Sequence, residues 1–205
     1  MCIRDSNVND TDHPLIIKVA SIPSARIQVY FIDNDTYFKR KAVLEDADGN
    51  FFPDNDERSL FFARGVLETV RKLGWAPDII HCSGWMTSLV PLYLKHVFAD
   101  EPYFDKAKIV YHAYDEGFEG ALDAGMAAKA EAHGIPAEAL GSIAEPTFDN
   151  LNALGMEGAD AVIVTVGAIP AYDAAPRYLA PGGKVIIVGM PPSDALSQYE
   201  PGILA

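Results

Sequence analysis

The sequence predicts an α/β fold in which a parallel sheet is flanked by helices. Three observations carry this expectation. Short runs rich in β-branched and aromatic residues recur along the chain. They alternate with stretches whose apolar residues repeat at helical spacing. The order strand, helix, strand supplies the crossovers that parallel pairing requires. With 205 residues, 49% of them hydrophobic and 22% charged, the chain has material for one ordinary domain or one and a half small ones.

Taken in order, the first six residues, Met-Cys-Ile-Arg-Asp-Ser, look like translated sequencing-adapter read-through from environmental DNA. Residues 1–6 are therefore set aside as an artefactual leader. Strands are expected over 15–20 (LIIKVA) and 27–33 (IQVYFID), joined by a turn at Pro23 and Ser24. Residues 34–56 are polar and read as a locally packed loop with a turn at Asp48-Gly49-Asn50. Asp54, with Glu57 three residues later, is a capping-box-like start for a helix near 56–73. Phe62, Val66, Leu67, Val70 and Leu73 form its apolar stripe. Arg71 and Lys72 suit the negative end of its dipole, and Gly74 suits the left-handed position that ends it. Pro77 breaks the chain before a short buried strand at 78–82. A helix follows over 86–98, with Leu89, Val90, Tyr93, Leu94 and Val97 inward, and then a strand over 108–112. The Ala- and Glu-rich stretch 121–144 reads as one or two short helices, and Pro146 opens another through Leu154. Residues 160–166 (DAVIVTV) form a buried strand and 171–179 a short helix. Pro181-Gly182-Gly183 is a turn before a last strand at 184–188. All six strands are expected in one parallel sheet.

Composition narrows the function classes. A net charge of −13 argues against nucleic-acid binding, which needs a basic face. No apolar run approaches the roughly 18 to 20 residues of a membrane helix, so no membrane association is expected. The two cysteines, Cys2 and Cys82, form no CxxC or Cys/His cluster, and neither a disulfide scaffold nor a zinc site is expected. Residues 1–12 are polar and lack the apolar core of a signal peptide, which makes the cytoplasm the expected location. No bound cofactor or metal is expected, and the sequence sets no oligomeric state.

Three segments carry a resemblance: 29–43 (VYFIDNDTYFKRKAV), 52–95 (FPDNDERS through LYLK) and 108–123 (KIVYHAYDEGFEGALD). In sequence, order and spacing they resemble glycogen and starch synthases of glycosyltransferase family 5. A weaker match continues through 134–140 and 145–163. The resemblance implies a Rossmann-like N-terminal domain of a two-domain GT-B enzyme, present here in part over 7–163. It implies transfer of glucose from ADP-glucose, or sometimes UDP-glucose, to an α-1,4-glucan with retention and without a metal. Its implied partners are the α-glucan and the nucleotide-sugar. No segment matches the family's Lys-x-Gly-Gly phosphate loop or its donor-binding C-terminal domain, so the chain is expected to be a fragment that is inactive alone.

Two family motifs are altered. Where many members end a strand in His-x-His-Asp-Trp, this chain has His81-Cys82-Ser83-Gly84-Trp85. Where many have His-Asn before an aromatic-Gln-Gly, it has Tyr114-Asp115 before Phe118-Glu119-Gly120, with His112 two residues earlier. Residues 159–194 resemble something else, the cofactor domain of a medium-chain, zinc-type alcohol dehydrogenase. This implies a chimaeric frame with a dehydrogenase-like strand–helix–strand tail over 164–205. Its GxGxxG fingerprint and metal ligands are missing, so no NAD binding by the tail alone is expected. The alternative functions are therefore a fragment of an NAD(P)-dependent zinc-type alcohol dehydrogenase or a noncatalytic glucan-binding module.

The candidate substrate-binding residues follow from position. His81 and Trp85 end one strand, and His112, Tyr114, Asp115 and Glu119 follow the end of the next. In open α/β sheets ligands bind outside the carboxyl ends of strands. A helix-capping corner with a packed Trp, and solvated loop charges, are the structural alternatives. No catalytic residue is assigned. Asp33, Asn34 and Asp35 are either sugar ligands or turn formers. His13, His96 and His133 have no partner at ligand spacing and are expected on the surface.

Overall fold

Two antiparallel pairings, rather than parallel ones, open the fold. The computed structural model describes residues 2–8, 11–114 and 117–198. Strand β1 (Cys2–Val8) falls largely on the residues set aside as a leader, and it pairs antiparallel with β2 (Thr11–Ile22). Strand β3 (Ile27–Asp33) pairs antiparallel with β2, from Ile16 opposite Asp33 to Ile22 opposite Ile27. This corrects the expectation of one parallel sheet. The link between β2 and β3 is a single 3₁₀ turn at Pro23–Ala25, closed by Arg26 at φ 54°. So short a connection only reverses the chain, whereas a parallel partner needs a crossover of a dozen residues or more.

Helix α1 (Asp35–Phe38) follows at once, inside the stretch expected to be loop. Asn34 caps it by accepting from the Tyr37 amide, and its side-chain amide donates to the Pro14 carbonyl. The turn-forming alternative is thus the one Asn34 follows. Helix α2 (Asn55–Leu73) ends at Gly74, whose φ of 64° gives the left-handed cap. Its start differs from expectation. Asp54 makes no capping bond, because both its oxygens are taken by Arg40. Its deepest apolar residues are Leu60, Phe61, Ala63 and Leu67, while Leu73 is exposed.

Strand β4 (Ile79–Ser83) leads through a 3₁₀ turn at Trp85–Thr87 into helix α3 (Val90–His96), shorter than the predicted 86–98. Strand β5 (Lys108–His112) then pairs with β4 in parallel. Helix α4 (Met126–Ala132), a 3₁₀ stretch at Ala137–Ile143 and helix α5 (Phe148–Met156) complete this part. Its core is helical, built around Leu60, Leu89, Tyr93, Met126, Ile143 and Leu151. One face of the β4–β5 pair joins that core through Ile80, Cys82 and Tyr111. The alternate residues Ile79, His81, Val110 and His112 are exposed, so strands read as buried cover the core with one face only. The Tyr111 hydroxyl donates to Asn152, and Gly155 lies against the same ring, fastening α5 to β5. His133, expected on the surface, is buried at 7% exposure and bonded to the Tyr93 hydroxyl over 2.8 Å.

The chain divides into two compact units, Met1–Gly155 and Met156–Ala205. In the second, strand β6 (Ala159–Val164) and strand β7 (Leu179–Ile187) pair in parallel around helix α6 (Ile169–Ala174) and a 3₁₀ turn at Ala175–Tyr178. Its small core is Val164, Tyr172 and Ala175. The Pro181-Gly182-Gly183 segment is not a separate turn. It lies inside β7, where the register jumps from Ala159–Leu179 to Ala161–Lys184. Gly182 at φ 81° absorbs the extra residues as a bulge.

Candidate functional site

Parallel pairing sets the carboxyl ends of β4 and β5 side by side. His81 stands opposite Val110, and Ser83 opposite His112. Alternate residues share a face, so both imidazoles lie on the open side of the pair. Their rings are 6.1 Å apart and nearly parallel, at 20°. Beyond the strands the chains stay joined, since the Gly84 amide donates to the His112 carbonyl over 3.0 Å. Tyr114 folds back edge-on to His112, with ring centroids 5.4 Å apart. The phenol comes to rest over Gly84.

The sequence-predicted group is therefore brought together in part. His81, His112 and Tyr114 lie side by side on the open face, the group called the crevice below for its place at the strand ends. Trp85 is next to it in the chain but is 5% exposed and turned the other way. It packs edge-on against Phe118 at 5.1 Å, and Phe118 in turn meets Phe51 at 5.3 Å and Phe148 at 6.0 Å. That aromatic cluster is the wall behind the crevice. Glu119 is exposed beside it, and Asp115 lies outside the described residues. Sequence reasoning passed over Gly84 and Phe118 as site-shaping residues. The signal for Phe118 was an aromatic between two glycines, Gly117 and Gly120.

A polar cluster holds the segments around this wall. Arg58 is buried and donates to the carbonyls of Tyr37 and Val43 and to the Asn55 side chain. This ties the 39–54 loop to the start of α2. Lys129 of α4 reaches Asp56 at 2.7 Å, Glu57 at 3.0 Å and Asp123 at 3.7 Å. Asp56 is fully buried, and burial pushes its carboxyl above its ordinary value despite the ammonium beside it. A shallow cleft of about 280 Å³ runs between residues 51–55 and Ala121–Asp123. On the core side of β4, burial raises the Cys82 thiol to about 11, which removes it from chemistry at neutral pH.

Chemically, the crevice offers two imidazoles and a phenol, groups that exchange hydrogen bonds with hydroxyls. Residues 81–88 and 112–123 contain no Lys or Arg, so nothing there neutralises a phosphate. Among the described residues no three His, Cys, Asp or Glu gather as a metal site. No helix among them is long and apolar enough to cross a membrane.

A family model described as the starch synthase catalytic domain matches residues 3–167. The chain belongs to the starch synthase family. Glycogen synthase of Chlorobium luteolum is 40% identical over 154 residues, which cover 74% of this chain and 30% of that protein. Glycogen synthase of Chlorobium limicola is 38% identical over 162 residues, 78% of this chain and 32% of the relative. This starch synthase-family chain thus spans about a third of the length of these relatives. Among solved structures, the catalytic domain of starch synthase IV from Arabidopsis thaliana, bound to ADP and acarbose, aligns with a TM-score of 0.64. That alignment covers 85% of this chain and 34% of the other, at 20% identity, and shows a shared GT-B-type fold. The family match extends through β6, and the comparisons do not favour the dehydrogenase alternative.

Proposed function

We propose that this chain is the acceptor-side portion of a glucosyltransferase that moves glucose from ADP-glucose or UDP-glucose to an α-1,4-glucan. The observation that carries the reading is the match over residues 3–167, with the crevice of His81, His112 and Tyr114 lying within it. Its hydroxyl-seeking groups suit a neutral sugar. The lack of cations suits it poorly to the diphosphate of a nucleotide-sugar, so the donor is held by parts of the enzyme other than this crevice. His81, His112, Tyr114, Asp115 and Glu119 are the residues proposed to meet the sugar, with Trp85 behind them. The glucan-related domain is taken as 7–163. The segment 164–205, nearly all beyond the family match, is read as a tail of different origin, and the first six residues as a leader. The cytoplasm, where soluble glucan and sugar nucleotides meet, is the proposed location.

By itself the chain is proposed to bind glucan weakly and to transfer nothing. A shallow half-site buries little of its ligand, which corresponds to a dissociation constant on the order of 1 mM. Titrating maltoheptaose into the labelled chain tests this. Chemical-shift changes at His81 and His112 support the reading, and their absence at saturating sugar refutes it.

A further inference from the structure

The least expected residue at the crevice is the one without a side chain. Gly84 sits directly after β4 at φ 76°, a backbone conformation that other residues rarely adopt. A Cβ built there would lie 2.8 Å from the Tyr114 hydroxyl oxygen and 3.1 Å from the ring carbon that bears it. The contact is with the outer end of the Tyr114 side chain, which is 38% exposed. Tyr114 meets His112 edge-on, and the Gly84 amide donates to the His112 carbonyl. Filling the space over residue 84 therefore displaces the phenol.

We infer that Gly84 and Tyr114 form a single specificity element: the phenol occupies the volume of the missing side chain at 84, and its hydroxyl is the group the crevice presents to a ligand hydroxyl. The ligand half of this inference rests on the glucan reading above, while the packing half stands without it. A side chain at 84 would push the phenol outward over His112 and narrow the crevice. With glycine there, Tyr114 lies back and leaves both imidazoles open. Residue 84 thus sets how much room a sugar ring has, and residue 114 supplies the hydroxyl that meets it. The tyrosine is 38% exposed, so that hydroxyl is within reach of solvent and ligand.

A double-substitution cycle tests the packing half. Gly84→Ala, Tyr114→Ala and the combined variant are compared by thermal unfolding. Gly84→Ala is strained by its backbone angle in either background, but the steric part is present only when Tyr114 is. The destabilisation from Gly84→Ala is therefore expected to shrink in the Tyr114→Ala background; equal losses in both backgrounds overturn the pairing. If Gly84→Ala does not fold, folding of the combined variant supports the pairing, and failure of both overturns it. The ligand half is read with maltoheptaose on the folded Tyr114→Phe variant, which keeps the ring and removes the hydroxyl. Binding weaker by about fivefold to tenfold, the value of one lost hydrogen bond, is expected. Unchanged affinity of Tyr114→Phe overturns the hydroxyl's role while leaving the glucan reading intact. No binding by the unsubstituted chain overturns both of those, and the cycle still decides the packing.

Discussion

Lys129 holds three carboxylates at once, those of Asp56, Glu57 and Asp123, with its side chain 18% exposed. Removing it strands Asp56, which is fully buried and has a second oxygen without a hydrogen bond. Lys129→Met is expected to cost about 3–5 kcal/mol in urea unfolding, and adding Asp56→Asn should recover much of that loss. The pH dependence has a definite sign. Burial raises the folded carboxyl of Asp56 above its ordinary 3.8, so its contribution is fully present below 3.8 and is lost as pH rises through the folded value. Relative to the parent chain, Asp56→Asn should therefore become more favourable as pH rises from about 4 to about 7. A second residue-scale expectation concerns Cys82. With its thiol raised to about 11, roughly one molecule in a thousand carries the thiolate at about pH 8. Alkylation by iodoacetamide should then follow unfolding; rapid labelling of the native chain would contradict the burial. At this scale the grouping of His81, His112 and Tyr114 was legible because strand ends mark all three. The inward turn of Trp85 was not, because Phe51, Phe118 and Phe148 reach it from distant segments. Nor was the burial of His133, whose partner Tyr93 lies 40 residues away in the chain.

Among elements, α5 depends on a close approach to β5. A Cβ at Gly155 would come within 2.4 Å of the Tyr111 ring. Gly155→Ala should destabilise the fold by about 1–3 kcal/mol through overpacking, and Tyr111→Leu in the same chain should relieve part of the loss. Additive losses in thermal unfolding would contradict that contact. Most elements were legible because their local signals agree with their packing. Helix α2 begins within one residue of its expected start and ends at Leu73, where the periodicity and Gly74 together put its end. Strands β4 and β5 also fall within a residue or so of their predicted bounds. Two misreadings have physical causes. The direction of β3 was set by the shortness of its turn, which leaves no room for the helical crossover on which the parallel expectation rested. The Pro-Gly-Gly motif was taken for a turn because such residues break strands, yet a bulge on one strand of a pair accepts them as well.

For the whole molecule, the three small sheets leave apolar side chains facing water. Val19 on the first, Ile79 on the second and Ile163 on the third are all more than half exposed. A chain with such faces should bind the dye ANS and self-associate as its concentration rises, as light scattering would register. A monodisperse, dye-silent solution would contradict this. Catalysis should be absent: incorporation of labelled glucose into glycogen from ADP-glucose is expected to match a mock purification. Transfer above that background, lost in His81→Ala, would show that these residues suffice for turnover. The class of fold and the family were legible because long segments carry both pattern and motif. The compact units divide at Gly155, inside α5 rather than at a linker, where no shift in composition marks the place. The aromatic wall has one further consequence, and it is optical. The chain holds two tryptophans, Trp85 sealed behind the crevice at 5% exposure and Trp75 in water at 55%. Iodide should quench the red-shifted emission of Trp75 and leave the blue-shifted emission of Trp85, so the protein's own fluorescence separates the state of its crevice from the state of its surface.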